Sequence, residues 1–271
     1  MAWFDLESAA PLGQGQNPFT VLKGTAWDWI YQPAAGAYAA APSWSHAGSS
    51  VVFTMTSNVA SGHPGTGTSH LYRVPYSRTG PQVATPIAGD GSEPSFAQYD
   101  GALSGDDALI VFDRVSASVA ASAHADLNKS DTCGSGVPCT WPGMYMQPAA
   151  ELYVIPPSGG TGSRLAANDP PACPGQSTSP GVDNARARWA PNPTTAANGS
   201  TYYWLVFSSW RQGAIDSSGE PLEQLFVTAV VQPEAGPMQT YPAIYLWNQP
   251  AGAFNGTPAW ASFPVPAVTT P

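Results

Sequence analysis

A short cassette that recurs along the chain is the feature that most restricts its fold. Each copy begins with an aromatic residue, passes through a turn into an apolar, β-branched strand, and ends after a loop in a Leu-aromatic pair. The three copies are PSWSHAGSSVVFT with HLYRV (42–54, 70–74), EPSFAQYDGALSGDDALIVFDR with ELYVI (93–114, 151–155) and RARWAPNPTTAANGSTYYWLVFSSWR with QLFVT (186–211, 224–228). A chain that repeats one unit in this way predicts a stack of similar small sheets.

Each copy is typical of a small antiparallel meander, with a fourth, outer strand after the closing pair. The aromatic residues expected to open the units in equivalent places are Trp44, Phe96 and Trp189. One such sheet leaves both faces uncovered, so it needs a similar sheet on each side, and radial stacking of four-stranded sheets gives a β-propeller. The sequence therefore predicts an all-β fold, a β-propeller of four-stranded antiparallel blades that forms a single domain over 1–271.

The number of blades has two interpretations. MAWFDLES (1–8) and NPFTVLKG (17–24) read as the third and fourth strands of a unit, and YPAIYLWNQPAGAFNGTPAWASFPVP (241–266) has residues suited to its first two. Pairing them would close a ring of about four blades. In the second interpretation the chain is an incomplete part of a larger propeller whose other blades lie upstream.

The cassette resembles the repeat of TolB-like propellers (a tryptophan-aspartate-repeat-like β-propeller family), approximately P-x-W-S-P-D-G-x-x-I-x-F-x-S-x-R followed by L-Y-V-x-x-x-x-G-G. The matching residues are Pro42, Trp44, Ser45, Gly48 and Phe53 in the first copy, Phe112, Arg114, Leu152, Tyr153, Val154, Gly159 and Gly160 in the second, and Trp189, Pro191, Phe207, Ser209 and Arg211 in the third. The Pro-Asp-Gly turn departs from the family pattern. It is His46-Ala47-Gly48 in the first copy, and longer segments are expected in the other two.

The resemblance implies a bacterial protein that is extracytoplasmic, either periplasmic or secreted. It also implies an interaction scaffold, and some proteins with these repeats form the non-catalytic half of a peptidase. The N-terminus has neither the basic nor the apolar segment of a secretory signal, so a signal peptide is not present in this chain. We therefore expect that a leader has been removed or that Met1 is not the natural start.

The charge balance excludes several classes of partner. Only 10% of the residues are charged and the net charge is −9, which disfavours nucleic acid and anionic membrane surfaces. No apolar run is long enough for a membrane span, so membrane insertion is not expected. The insertion at about 116–150 separates strands that lie close in the other units, and long loops on a rigid scaffold often carry binding function.

The three cysteines favour a disulfide over a metal site. Cys133 and Cys139 are separated by a flexible CGSGVPC segment that could close a small loop, and a bridge there would imply an oxidising compartment. Their spacing does not match a zinc-ligand pattern, so no metal is predicted. Cys173 is left open: it is free, or it pairs with one of the other two.

The sequence offers no catalytic constellation and no cofactor motif. A G-x-S-x-G elbow and an H-E-x-x-H motif are both missing. The histidines (His46, His63, His70, His124) are scattered, and most Asp residues lie in turn contexts. Arg114 and Arg211 are interpreted as matching residues after the second strand that tie adjacent blades, with contact to a ligand from the rim as the alternative. We therefore expect a protein without catalytic activity or cofactor.

Two groups of aromatic residues outside the repeat positions are the candidates for ligand contact: Trp27, Trp29 and Tyr31, and Trp141 and Tyr145. The leading hypothesis is a non-catalytic interaction scaffold or binding module whose partner is another protein or a second copy of the chain. A second hypothesis is a glycan-binding or glycan-processing propeller that stacks sugars on these aromatics. A third is the propeller fragment of a longer enzyme.

Overall fold

The computed structural model describes residues 19–23, 26–31, 38–56, 59–60, 63–64, 69–77, 82–87, 96–116, 132–133, 137–138, 150–169, 183–211, 215, 217, 222–250, 252–256 and 258–260. Within them the chain is all-β, with antiparallel strands and a 3₁₀ turn at Ala166–Asn168. The first two strands, β1 (Phe19–Lys23) and β2 (Ala26–Tyr31), pair with each other as a hairpin.

Blade 1 is a four-stranded sheet. Its strands, in spatial order, are β3 (Tyr38–Trp44), β4 (Ser50–Thr56), β7 (Ser69–Pro75) and β8 (Thr85–Pro86). A small hairpin of β5 (Val59–Ala60) and β6 (His63–Pro64) lies between β4 and β7 in the chain. The run SVVFTMT forms β4 because β-branched and aromatic residues favour a strand that is buried on both faces.

Blade 2 repeats this plan. It begins with β9 (Phe96–Leu103) and β10 (Ile110–Ser116), and the next segment contains a hairpin of β11 (Thr132–Cys133) and β12 (Val137–Pro138). The strands β13 (Glu151–Ile155) and β14 (Ser163–Arg164) complete the sheet, whose spatial order is β9-β10-β13-β14.

Blade 3 has the same inner three strands and a divided outer edge. The inner strands are β15 (Ala185–Trp189), β17 (Thr201–Ser209) and β18 (Gln224–Gln232), and a short β16 (Thr194–Thr195) pairs with the start of β17. Two short strands, β19 (Gln239–Thr240) and β20 (Ile244–Tyr245), pair side by side with β18 and together form the outer edge. The predicted four-stranded antiparallel blades are therefore confirmed in the described residues.

The blades pack face against face in chain order. We call the face that each blade turns towards the next blade its trailing face. The trailing face of blade 1 buries Val52, Leu71 and Ile87 in one cluster with Phe112 of blade 2. The trailing face of blade 2 buries Leu165, among others, against blade 3. Fully burying one such side chain contributes about 1.5–3 kcal/mol, so these clusters hold the blades together.

A β-bulge in the first strand recurs in all three blades. The pairing register slips between Ala40 and Ser43, within 99–102, and between Ala185 and Arg188. The residues that occupy the bulge with positive φ are Ala41 (49°), Asp100 (52°) and Arg186 (55°). This conformation is unusual for residues other than glycine, so its threefold repetition marks it as part of the blade design.

The bulge fixes which residues of the three copies are equivalent. Trp44 ends β3 opposite Val51, Leu103 ends β9 opposite Ile110, and Trp189 ends β15 opposite Leu205. The expectation that Phe96 matches Trp44 is therefore wrong, because Phe96 begins β9 and Leu103 holds the equivalent place. The sequence alone does not reveal the match between Leu103 and Trp44, because an aliphatic residue replaces the aromatic one at the same apolar position.

The N-terminal hairpin corrects a second expectation. MAWFDLES lies outside the described residues. NPFTVLKG, expected to be the fourth and outermost strand, contains β1, which pairs onward with β2, a strand that the repeat did not predict. Tyr31 at the end of β2 pairs with Phe19 and packs against Phe53 of blade 1, with ring centroids 5.1 Å apart. It therefore lies against blade 1 in the way that Ile87 lies against Phe112 of blade 2. The hairpin β1–β2 thus resembles the outer two strands of a blade that precedes blade 1.

Candidate functional site

The candidate functional site is a rim made by the turns that join the first and second strands of the three blades. This turn rim comprises His46–Ser49 of blade 1, Gly105–Leu109 of blade 2 and Ala190–Ser200 of blade 3, and many of its residues are exposed. Loops held by a rigid β scaffold are common places for binding residues. The turn of blade 2 contacts the turns of both other blades directly, which makes the rim a continuous surface.

Serine side chains shape the first two turns in the same way. Ser45 Oγ accepts hydrogen bonds from the backbone N–H groups of Ser49 and Ser50, at 2.9 and 3.0 Å. Ser104 Oγ accepts the equivalent pair from Ala108 and Leu109, at 3.1 and 3.0 Å. The turn of the second copy therefore has the same length as that of the first, and the expectation of a longer segment there is wrong. Such side-chain bonds to nearby backbone stabilise tight turns.

Asp107 joins the turn of blade 2 to the turn of blade 1. Its carboxylate accepts hydrogen bonds from the backbone N–H groups of His46, at 2.7 Å, and Ala47, at 3.0 Å. Its φ of 60° matches that of Gly48, 66°, which holds the equivalent position in blade 1. Aspartate tolerates this left-handed conformation better than most residues, so Asp107 can occupy the position that Gly48 holds in blade 1. Its carboxylate in addition caps the turn of blade 1.

Asp106 joins the same turn to blade 3. Its carboxylate accepts hydrogen bonds from Ser104 Oγ at 2.7 Å, from the Ala108 N–H at 3.1 Å and from the Tyr203 hydroxyl at 2.8 Å. Partial burial opposes ionisation, but these hydrogen bonds together hold the pKa of Asp106 below its ordinary value. Burial, followed by the bond to Asp106, raises the pKa of Tyr203 to about 12. Asp106 is therefore ionised and Tyr203 neutral at physiological pH.

Gly105 lets the turns of blades 2 and 3 approach closely. A Cβ atom built on Gly105 would lie 1.8 Å from the carbonyl oxygen of Pro191 in the turn of blade 3. A side chain cannot be accommodated against backbone at that distance, so glycine is required here for the packing of the turns. Gly105, Asp106 and Asp107 thus contact both neighbouring blades.

Beneath the rim, polar groups join the bulges to the preceding blades. The Arg186 N–H donates to Asp113 Oδ2 at 3.0 Å, and the Asp100 N–H donates to Thr54 Oγ1 at 3.3 Å. Thr54 and Asp113 occupy equivalent positions on their second strands. Burial, followed by the charge of Asp100, raises the pKa of Asp113 well above its ordinary value.

Ion pairs also lie at the inner strand of blade 3. The Arg186 guanidinium pairs with the buried carboxylate of Glu223 in the same blade. Arg188 donates to both carboxylate oxygens of Asp100 in blade 2, at 3.1 and 3.2 Å. The bidentate geometry of the second pair fixes the inner strands of two blades relative to each other.

The two arginines singled out in the repeat do not occupy matching places. Arg114 lies inside β10 and stacks on Phe96 of its own blade, with its guanidinium carbon 3.5 Å from the ring centroid. Arg211 follows the end of β17 and donates to the carbonyl of Ala167 in the outer part of blade 2, at 2.7 Å. It also donates to the Asn184 side chain. Arg211 therefore ties two blades together as expected, through carbonyl groups.

The predicted ligand-contact residues do not gather at the rim in the described structure. Tyr31 is partly buried against Phe53, and its hydroxyl donates to Met55 Sδ at 3.9 Å. Trp27 and Trp29 lie on β2 in backbone register with Leu22 and Thr20, while Trp141 and Tyr145 lie outside the described residues. The role of these aromatics in ligand contact stays a prediction.

The cysteines and histidines are only partly described. Cys133 lies on β11, whereas Cys139 and Cys173 fall outside the described residues, so the disulfide also stays a prediction. Among the histidines, His46 is on the rim, and burial lowers the pKa of His70 on β7. No group of three or more metal-ligating side chains is arranged around a common point in the part of the chain described above. In that same part, no helix is long and apolar enough to cross a membrane.

The residues that build the rim escaped the sequence interpretation. For Asp106 and Asp107 the sequence indicates only the general preference of Asp for turns, and it gives no prediction for Ser104. The signal that finds them is an alignment of LSGDDAL (103–109) with WSHAGSS (44–50), in which Ser104 matches Ser45 and Asp107 matches Gly48. Taking Phe96 as the match of Trp44 conceals that alignment.

The solved structures that match this chain include two TolB proteins. A TolB-type protein from Agrobacterium tumefaciens is 13% identical with a TM-score of 0.38, and the match covers 90% of this chain and 61% of that one. TolB from Acinetobacter baumannii is 14% identical with a TM-score of 0.37, and the match covers 88% of this chain and 39% of that one. The chain thus spans less than two thirds of the length of either protein.

No protein-family model and no curated protein matches the sequence.

Proposed function

We propose that the chain is a non-catalytic TolB-like binding module that acts as a protein-interaction scaffold in an extracytoplasmic bacterial assembly. The observation that carries the proposal is the turn rim, in which Asp107 fixes the turn of blade 2 to the turn of blade 1 and Asp106 fixes it to β17 of blade 3. A surface that is already ordered before binding loses less conformational entropy when a partner docks. Such a surface suits recognition of another folded protein.

The charge of the rim indicates the chemistry of the partner. The rim turns contain Asp106 and Asp107 and carry no Lys or Arg. The exposed Glu234 lies beside Gly199 of the blade 3 turn. A Cβ atom built on Gly199 would lie 2.8 Å from the carboxylate of Glu234. Complementary charge favours encounter and orientation. We therefore expect a partner that presents basic side chains and backbone or amide donors to the rim.

The test is capture of a partner by the immobilised full chain and by rim variants. His46→Ala combined with Glu234→Gln changes exposed rim groups without removing the carboxylates that join the blades. Val83→Ser changes an exposed residue of blade 1, 80% accessible and outside the rim, and serves as the control. We expect the wild type and the control to capture the same protein in a salt-sensitive manner, and the rim variant to capture clearly less.

Two results would contradict the proposal. Capture by the rim variant equal to that of the wild type would show that the rim is not the binding surface. A reaction catalysed by the purified chain at a rate that the rim variant reduces would show that the module is an enzyme. The location is tested separately, by fractionating the native host and detecting the chain, and the proposal expects it in the periplasmic or secreted fraction.

A further inference from the structure

Two Asn-Gly pairs near the strands of blade 3 are held in different ways. Asn198-Gly199 lies in the turn between β16 and β17, and Asn255-Gly256 follows β20 in the chain. An asparagine that precedes glycine can modify itself, because glycine has no Cβ atom to hinder attack of its backbone nitrogen on the side-chain carbonyl carbon of the asparagine. In a folded protein, the contacts of each asparagine decide whether that attack takes place.

The exposed side chain of Asn198 is folded over the peptide bond that would react. Its Oδ1 accepts a hydrogen bond from the backbone N–H of Ser200 at 3.1 Å. This bond closes a ring of atoms that includes both Cγ of Asn198 and the backbone nitrogen of Gly199, so it holds the electrophile near the nucleophile. The Ser200 N–H also donates to the oxygen that gains negative charge during the attack, as a donor in an oxyanion hole does.

The other contacts of the turn leave the reaction open. In the described part of the chain, no residue accepts a hydrogen bond from Nδ2 of Asn198, so this nitrogen can leave. The bond that opposes the attack runs from the Gly199 N–H to the Ala196 carbonyl, at 3.0 Å. It closes a surface turn through the exposed Ala197 and Asn198, beside a strand of two residues. A turn of this kind opens locally at low cost, and opening releases the Gly199 nitrogen.

Asn255 is held in the opposite way. Its Nδ2 donates to Gln224 Oε1 at 3.2 Å and to the carbonyls of Pro250 and Ala253, both at 3.1 Å. Movement of Cγ towards the nitrogen of Gly256 would break these contacts and leave the acceptors without partners. The same dipeptide is therefore restrained at Asn255 and ready to react at Asn198.

We propose that Asn198 is a site of spontaneous self-modification in the folded chain, with water as the co-reactant. The Gly199 nitrogen loses its proton to solvent base and bonds to Cγ of Asn198. The bond between Cγ and Nδ2 breaks, and Nδ2 takes up a proton and leaves as ammonia. Water then hydrolyses the cyclic imide at either of its two carbonyl carbons. One opening gives aspartate, and the other gives isoaspartate, in which the main chain runs through the former side chain.

Both products change the turn rim. Each adds a carboxylate to the blade 3 turn, where the exposed carboxylate of Glu234 already lies against Gly199. Isoaspartate also adds a methylene group to the main chain, so the bonds from Gly199 to Ala196 and from Ala196 to Ser200 lose their present spacing. The inference does not depend on the proposed binding function, because the reaction requires only this turn and water.

The test compares the two Asn-Gly pairs within one molecule. The folded full chain is incubated in mildly alkaline buffer, and its proteolytic peptides are followed by mass spectrometry. Replacement of the amide by a carboxyl group raises the mass of a peptide by about 1 Da. We expect Asn198 to convert at least about tenfold faster than Asn255, because the contacts of Asn255 must break before it reacts. Equal rates, faster conversion of Asn255, or an unchanged Asn198 would overturn the proposal.

The same chain unfolded in urea is the matched control. Both asparagines precede glycine, so we expect their rates to become similar once the folded contacts are lost. A tenfold difference that persists in urea would assign the effect to local sequence and would overturn the role of the fold. Asn198→Gln keeps a side-chain amide but must form a larger ring, so we expect this variant to lose the mass change in that peptide. A mass change that remains would place the reaction at another residue and would also overturn the proposal.

Discussion

The carboxylate of Asp107 accepts the backbone N–H of His46, a residue 61 positions earlier in the chain, at 2.7 Å. The bond joins two turns that occupy equivalent places in blades 1 and 2, and it holds the turn of blade 1 against that of blade 2. Asp107→Ala removes the acceptor for His46 and Ala47 and places alanine at positive φ, whereas Asp107→Asn keeps an acceptor and tolerates the conformation. We expect Asp107→Ala to lower the free energy of unfolding by about 2 kcal/mol and Asp107→Asn by less. Chemical denaturation measures both, and equal losses would contradict this role.

Gly105→Ala is expected to separate the turns of blades 2 and 3. The new Cβ would lie 1.8 Å from the Pro191 carbonyl oxygen, and the backbone must shift to accommodate it. We expect a loss of about 1–3 kcal/mol in the free energy of unfolding, typical of overpacking. Gly252→Ala is the matched control, since a Cβ there meets nothing within 4 Å. Thermal unfolding of the two variants gives the comparison, and a similar midpoint for both would refute the close contact.

The pH dependence of stability is expected to report Asp113. Its pKa is raised in the folded protein above the ordinary 3.8, so the folded state holds the proton more tightly than the unfolded state. Stability from this group is present below the ordinary pKa and is lost as pH rises from there through the folded pKa. Asp113→Thr keeps an acceptor for the Arg186 N–H, because Thr54 accepts the equivalent bond from the Asp100 N–H in blade 1. The threonine side chain has no group that titrates in this pH range.

We therefore expect the free energy of unfolding of the wild type to fall relative to that of Asp113→Thr as the pH is raised above about 4. Urea denaturation at a series of pH values measures the difference. A difference that is constant with pH would mean that folding leaves the pKa of Asp113 unchanged, and a change in the opposite direction would mean that folding lowers this pKa; either result would contradict the prediction.

Arg211→Lys is expected to weaken the contact between blades 2 and 3. The guanidinium donates to the Ala167 carbonyl and the Asn184 side chain while it lies 5.1 Å from the ring centroid of Phe226. Lysine keeps the charge but cannot reproduce the planar fork. We expect a loss of about 1–3 kcal/mol in the free energy of unfolding, because the buried acceptors lose partners. Arg73→Lys in blade 1 is a suitable control, and an equal effect of both would argue against the tie.

The sequence predicted the blades well because their second strands are continuous apolar runs. VVFT, LIVFD and YWLVFS are recognisable without knowledge of the neighbours, and Phe53, Phe112 and Phe207 are fully buried as the repeat implies. The second strand is paired on both sides within its blade, so its pattern depends little on what surrounds it.

The rim was harder to predict because its interactions connect residues far apart in the sequence. Asp106 and Tyr203 are 97 positions apart, and a carboxylate in a turn has the same local pattern whether or not it caps another blade. The place of Leu103 was missed for a different reason. The bulge at Asp100 shifts the register of β9, and the positive φ falls on Asp100 and not on the neighbouring Gly101, so the residue type does not mark the bulge.

The bulges have a consequence for how such a chain can change. At Asp100 and Arg186 the group that reaches the preceding blade is the backbone N–H, and the side chains at the three bulges are those of alanine, aspartate and arginine. The backbone hydrogen bond to the preceding blade therefore requires a positive φ at this position but does not require a particular side chain. A new side chain at a bulge therefore leaves this backbone joint in place, provided that other residues replace the ion pairs that it ends, such as Arg188–Asp100.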